Sequence, residues 1–235
     1  MAQTSPERPA RRPGPRSGGQ RNARGEETRQ RILVAAERLF AEHGISAVPL
    51  RDIGVAAGQR NHAAVQYHFG DREEVVKAIM EFRGAESESE RASIVAGLAV
   101  AGGAPTVTDV VGAFVRPLAI HLRSDNHYLA FLSLYITEAG GYVGLDGVRT
   151  GQSVATLRAL LDRLLPGLPA EVLDERWLTV ETSAVHALAR YHSALRKRIP
   201  LVATTDVLVG DLVTFLGAGL VATPNPGDVW GTPSR

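Results

Sequence analysis

Apolar residues recur along this chain with helical rather than alternating spacing. No stretch alternates with period two for long enough to read as a strand, whereas intervals of three and four recur throughout. In "EETRQRILVAAERLFAEHG", Ile32, Ala36, Leu39, Phe40 and His43 share one helical face, and Gly44 stands where a helix ends. Pro49 suits a first turn and opens a short helix with Leu50, Ile53 and Ala57 inward, which Gly58 breaks. Asn61 is a cap for a third helix with Val65 and Phe69 inward. Asp71 and Glu74 form a D-x-x-E start for a fourth, with Val75, Ile79 and Phe82 inside.

Beyond residue 83 the spacing predicts longer helices, over roughly 84–101, 107–123, 126–139, 150–165, 170–198 and 204–221. In the helix from Ala170, the residues Leu173, Trp177, Val180, Ala184, Leu188, Tyr191 and Leu195 follow one face. The last helix, "TDVLVGDLVTFLGAGLVA", is apolar nearly all round and needs cover on both sides; a second copy of the chain is the simplest cover. The expectation is an all-α protein: a helix-turn-helix domain over 26–82, then a larger helical domain over 83–222. A tail over 223–235 would follow. Two short helices joined around Gly58, with the second free to project, are the plan of a helix-turn-helix.

Composition narrows the chemistry. The chain has 235 residues, 44% of them hydrophobic, and no cysteine, so disulfides, thiolate zinc sites and a cysteine nucleophile are excluded. Its apolar stretches are too short or too broken to span a bilayer, and no apolar segment follows Arg11-Arg12 as an export signal would require. No membrane association is expected, and the cytoplasm is the expected location. His62/His68, His121/His127 and His186/His192 are each six residues apart, on different faces of any helix, so no helical metal site and no cofactor are expected. With no convergent catalytic group either, enzymatic activity is not expected.

Charge changes the picture at one end. Residues 1–25 hold six arginines against one glutamate, a net +5, so the other 210 residues carry −4 of the chain's +1. That segment is rich in Pro, Gly and Ser and is expected to be a disordered basic arm of the kind that nucleic-acid binders carry.

The segments "TRQRILVAAERLFAEHG", "LRDIGVAAG" and "AVQYHFGDREEVVKAI" resemble, in order and spacing, the DNA-binding domain of the TetR family of bacterial transcriptional regulators. The resemblance covers residues 26–82, and the long helical remainder is similar in layout to that family's effector-binding domain. It implies a homodimeric, ligand-responsive repressor of a palindromic double-stranded DNA operator, paired through the helices near 170–198 and 204–221. It further implies an unknown small-molecule effector. The alternative is a helix-turn-helix protein that organises DNA without an effector.

Side-chain chemistry supports that reading independently. Asn61, His62, Ala63, Ala64, Gln66 and Tyr67 make a slim polar surface suited to a major groove, where Gln pairs with adenine, His donates to guanine and Ala touches a thymine methyl. Arg60, Tyr67, His68 and Arg72 are candidate phosphate grips, as are the helix-start amides near Thr28 and Arg72. Residues 26–82 carry seven Lys or Arg against nine acids, so the acids must face away from DNA. In the larger domain Phe114, Arg116, His121, His127, Phe131, Tyr135, Glu138 and Trp177 are candidates for a mainly apolar ligand pocket with a few polar anchors.

Overall fold

In the computed structural model the described residues are 18–61, 63–100, 104–123, 125–139 and 152–223. Among them there are helices and no strand. They are α1 (Gly18–His43), α2 (Leu50–Ala56), α3 (Ala64–Phe69), α4 (Arg72–Val100), α5 (Val107–Ala119), α6 (Tyr128–Ala139), α7 (Gln152–Leu164), α8 (Ala170–Arg196) and α9 (Thr205–Val221), with a 3-10 turn at Ile120–Leu122.

The first four helices follow the apolar pattern. Ile32, Leu33, Ala36 and Phe40 of α1, Ile53 of α2, Val65 and Phe69 of α3, and Val75 and Ile79 of α4 are buried together. Gly44 takes φ +91° at the end of α1, a left-handed conformation that other residues adopt only with strain. Two expected inward residues are not inside: His43 is exposed, and Phe82 is 37% exposed at the rim of the core.

Three expectations about element limits change. α1 begins at Gly18, so residues 18–25, expected to belong to a disordered arm, are helical. Propagating an existing helix needs no new nucleus, and the buried turns from Ile32 onward supply one. Residues 1–17 of the expected arm and 224–235 of the expected tail lie outside the described residues. α4 is continuous from Arg72 to Val100, so the expected boundary at 82/83 falls inside a helix. Gly84 does not end it: a lone interior glycine costs only about 1 kcal/mol, and a Cβ there would meet the Tyr128 hydroxyl at 3.5 Å. α3 begins at Ala64, with Ala63 at the cap position and no side-chain cap. Asn61 acts a turn earlier, its Oδ1 accepting the Ala63 amide at 3.0 Å.

In the larger domain α5 packs against α4, α7 and α9, and α6 lies between α1 and α8. Thr106 and Asp109 form a reciprocal capping box at the start of α5. Leu173, Trp177, Val180, Ala184, Leu188 and Tyr191 are buried as the spacing predicts, while Leu195 at the end of the stripe is 40% exposed. α9 buries Val209, Val213, Leu216 and Leu220 and leaves Val207, Phe215 and Val221 exposed. Gly217 allows α9 to approach α5 closely, since a Cβ there would stand 3.0 Å from Thr108 Oγ1.

Candidate nucleic-acid interface

α3 is six residues long, and its chemistry divides cleanly by face. Ala64, Val65 and Phe69 face the core, whereas Gln66 is exposed and Tyr67 is 84% exposed. The Tyr67 ring meets His68 edge-on, with centroids 5.2 Å apart. Arg60, Asn61 and Ala63 are exposed in the approach to the helix. Ala64, expected in the groove-facing surface, is buried because the helix starts there and its methyl turns inward. His62 lies outside the described residues. A cation from α1 joins this region unannounced by the sequence pattern: the Arg29 guanidinium lies 4.8 Å from the Phe69 ring centre. Forty residues separate the two, so no local spacing signals the contact.

Two expected phosphate grips are arranged differently. The Arg72 guanidinium turns inward, Nη1 donating to the Ser46 carbonyl at 2.8 Å and Nη2 to the Val48 carbonyl at 2.9 Å. Its Nε is buried and finds no partner among the described residues. Carbonyls of the α1–α2 turn thus take one donor from each Nη of the guanidinium. Thr28 is not at a helix start, because α1 begins ten residues earlier; its backbone belongs to the helix interior, and its hydroxyl accepts from Arg31 at 3.3 Å.

The acids of this domain are partly engaged. Glu37, 1% exposed, accepts from Arg83 Nε at 2.6 Å and from the His127 amide at 2.6 Å, which joins α1 to α4 and to the start of α6. Asp71 Oδ1 caps α4 by accepting the Glu74 amide at 2.9 Å.

The eight residues expected to line a ligand pocket fall into several packed groups. Phe131 is fully buried between Phe40 and Tyr128, stacked on each with centroids 6.3 Å apart. Phe114 and Trp177 pack edge-on at 5.5 Å, with the Arg91 guanidinium 5.5 Å from the Phe114 ring centre. Tyr135 faces the start of α4, where the hydroxyl's pKa is raised by burial first and by the Glu73 charge second. His127 lies 3.8 Å from Glu42, and its pKa is lowered chiefly by burial. These are packing roles, because helices with this much apolar surface fill the space between them with the same residue types that line pockets.

His121 is buried in a polar network. Asn126 Oδ1 accepts the Tyr128 amide at 3.1 Å, which turns the Asn126 amide nitrogen toward His121 Nδ1 at 3.2 Å. The ring is therefore neutral with its proton on Nε2, donating to Ser87 Oγ at 3.1 Å. Burial, with the Arg83 and His192 charges, lowers its pKa to about 4. Arg116 lines a groove of about 320 Å³ between the end of α5 and the start of α9, and His121 lines one of about 160 Å³ beside Arg83.

Glu138 is engaged by backbone amides. Its two carboxylate oxygens accept the amides of Ile45 at 2.8 Å and Ser46 at 3.0 Å, in the turn between α1 and α2. Burial works to raise its pKa, but the bonds from Ser46 and Ile45 and the Arg72 charge outweigh it, so the carboxyl sits below its ordinary value. No group of His, Cys, Asp and Glu among the described residues could hold a metal ion. No helix among them is long and apolar enough to cross a membrane.

Comparison with known proteins places the first domain. Residues 32–79 match the family model described as bacterial regulatory proteins, tetR family. An HTH-type transcriptional repressor of Mycobacterium tuberculosis is 42% identical over 59 residues, which are 25% of this chain and 31% of that protein. The HTH-type transcriptional regulator TtgR of Pseudomonas putida is 35% identical over 74 residues, 28% of this chain and 35% of that protein. The chain thus spans about a third of the length of the curated relatives it matches. Among solved structures, a TetR family transcription regulator from Marinobacter aquaeolei superposes with a TM-score of 0.58 at 15% identity, covering 84% of this chain and 97% of that one. AmtR of Mycobacterium smegmatis does so with a TM-score of 0.50 at 20% identity, covering 88% and 89%. At those identities the likeness is one of fold, and it extends through the second domain.

Proposed function

We propose, from the match of residues 32–79 to the model of the TetR family of bacterial regulatory proteins, that this chain is a member of that family and a sequence-specific DNA-binding transcriptional repressor. The observation that carries the proposal is the division of α3, whose Val65 and Phe69 anchor it while Gln66 and Tyr67 stand exposed on the opposite side. A helix fixed by two buried residues and presenting an amide and a phenol can enter a major groove about 12 Å wide. Gln66, Asn61, Ala63 and His62 read base edges. Arg60, Tyr67 and His68 contact phosphates. Arg72 contributes only its position at the start of α4, and Thr28 only the surface of α1.

Two copies, paired through α8 and α9, set their recognition helices about 34 Å apart, one turn of DNA, on a palindromic operator. A small-molecule effector, bound by the domain that follows the helix-turn-helix, shifts the dimer by binding its two states with different affinity. The protein then works in the cytoplasm.

Selection of genomic fragments by the purified protein, over a range of salt, tests this reading. Recovery of a short palindrome is the expected result. Salt-sensitive binding without sequence preference would instead mark a DNA-organising protein that needs no effector.

A further inference from the structure

The turn between α1 and α2 is gripped from two sides by charged groups of opposite sign. From α6, the carboxylate of Glu138 accepts the Ile45 and Ser46 amides at 2.8 and 3.0 Å. From the first residue of α4, Arg72 donates to the Ser46 and Val48 carbonyls at 2.8 and 2.9 Å. Both the amide and the carbonyl of Ser46 are thereby committed. Gly44, at φ +91°, belongs to the same arrangement: a Cβ there would stand 2.9 Å from Glu138 Oε1. The carboxylate therefore approaches the backbone more closely than any other residue at 44 would permit.

The held turn is mechanically connected to α3. Val48 is buried, Pro49 leads straight into α2 at Leu50, and Gly54 of α2 lies against Val65 of α3, where a Cβ at 54 would stand 3.6 Å from Val65 Cγ2. The contacts that His127, just before α6, makes with Glu37 and Glu42 fix α1 and not the turn. Glu138 is thus the point at which α6 sets where α2 and α3 sit relative to α1.

We infer that Glu138 is a positioning residue for DNA recognition, by which the second domain holds the α1–α2 turn, and through it the recognition helix, in the setting that reads an operator. The inference rests on the DNA-binding reading above. It makes the end of α6 a place, beside the continuous α4, where a rearrangement of the second domain reaches the recognition helix.

The sign of the effect separates this role from simple electrostatics. Removing an acid from a DNA-binding protein should, by charge alone, tighten binding to every sequence. Loss of positioning should weaken binding to the operator only. The experiment uses the full-length protein and its Glu138→Gln and Glu138→Ala variants. It measures affinity for the selected operator and for a random duplex, thermal unfolding, and amide hydrogen exchange at Ile45 and Ser46. The expected result for Glu138→Gln is operator binding weakened about tenfold, the scale of one lost charge-assisted hydrogen bond. Random-duplex binding should be unchanged or tighter, with faster exchange at both amides and little change in melting. Unchanged operator affinity would overturn the inference. So would a loss shared equally by both duplexes that follows a lower melting temperature. If Glu138→Ala melts too low to assay, Glu138→Gln, nearly equal in shape, decides. A wild-type protein that selects no sequence at all would defeat the DNA-binding reading, and this inference with it. In that case the wild type fails, and not only the variants.

Discussion

Gln66 and Arg60 stand close together on the exposed side of the helix-turn-helix, yet their roles predict different losses. A base-edge contact discriminates by about 1–3 kcal/mol, so Gln66→Ala should weaken operator binding and change the preferred sequence while leaving random-duplex affinity alone. Arg60→Ala should weaken both about equally and reduce the salt slope by about one. Affinity titrations of both variants on both duplexes, at several salt concentrations, check the pair; equal losses for Gln66→Ala would remove it from base reading. His121 carries a prediction of another kind. Its pKa is near 4 in the fold and near 6.5 in an unfolded chain, so between those values the unfolded state binds more protons. Stability present above pH 6.5 is therefore lost as pH falls toward 4. His127, shifted in the same direction, adds to that loss, and Glu138 adds its own only below about 4.5. Denaturant unfolding at a series of pH values should show the decline, and His121→Gln should flatten it.

At the scale of elements, α6 ties the two domains together by packing along α1, and the fully buried Phe131 stacks on Phe40 within that contact. Phe131→Ala removes a fully buried ring between Phe40 and Tyr128 and should cost about 3–5 kcal/mol of stability, read by denaturant unfolding. A cost below about 1 kcal/mol would mean that the α1–α6 packing is not what joins the domains. Such contacts show how far the sequence is legible. The identity and order of the helices could be read from spacing, because an inward stripe at 3.6-residue period is a local property. The run of α4 through Gly84 could not, since the packing of α4 against α1 and α5 that carries the helix past a glycine is set by residues distant in sequence. The exposed side of α3 was legible for the same local reason, Val65 and Phe69 fixing which way Gln66 and Tyr67 must point. Arg72 and Glu138 were not: by type each is a charged group suited to a ligand, and each is taken by backbone groups of the α1–α2 turn. The pocket residues show the complementary difficulty. Phe114, Phe131 and Trp177 are the right types for a cavity wall, and composition does not distinguish a wall from a filled core.

For the molecule as a whole, the decisive surface is the outer side of α9. Val207, Phe215 and Val221 are 59%, 72% and 49% exposed on a helix whose other side is buried against α5 and α8. Asp211, Thr214 and Ala218 lie exposed between them, so the strip is narrow and mostly apolar or small, with Phe215 its one large side chain. Paired across a two-fold axis, such strips place each Phe215 against its counterpart helix. Phe215→Glu would set a carboxylate from each copy into that contact, desolvated and facing a like charge. The expected outcome is a monomer in analytical ultracentrifugation with an unchanged helical fold by circular dichroism. Its operator affinity should fall at least a hundredfold, because each half-site must then be bound without the local concentration that the dimer supplies. Random-duplex binding per chain should change far less, since phosphate contacts by one domain survive. A variant that stays dimeric and keeps its operator affinity would show that the copies pair through another surface, and the spacing of the two recognition helices would then have to be set by it.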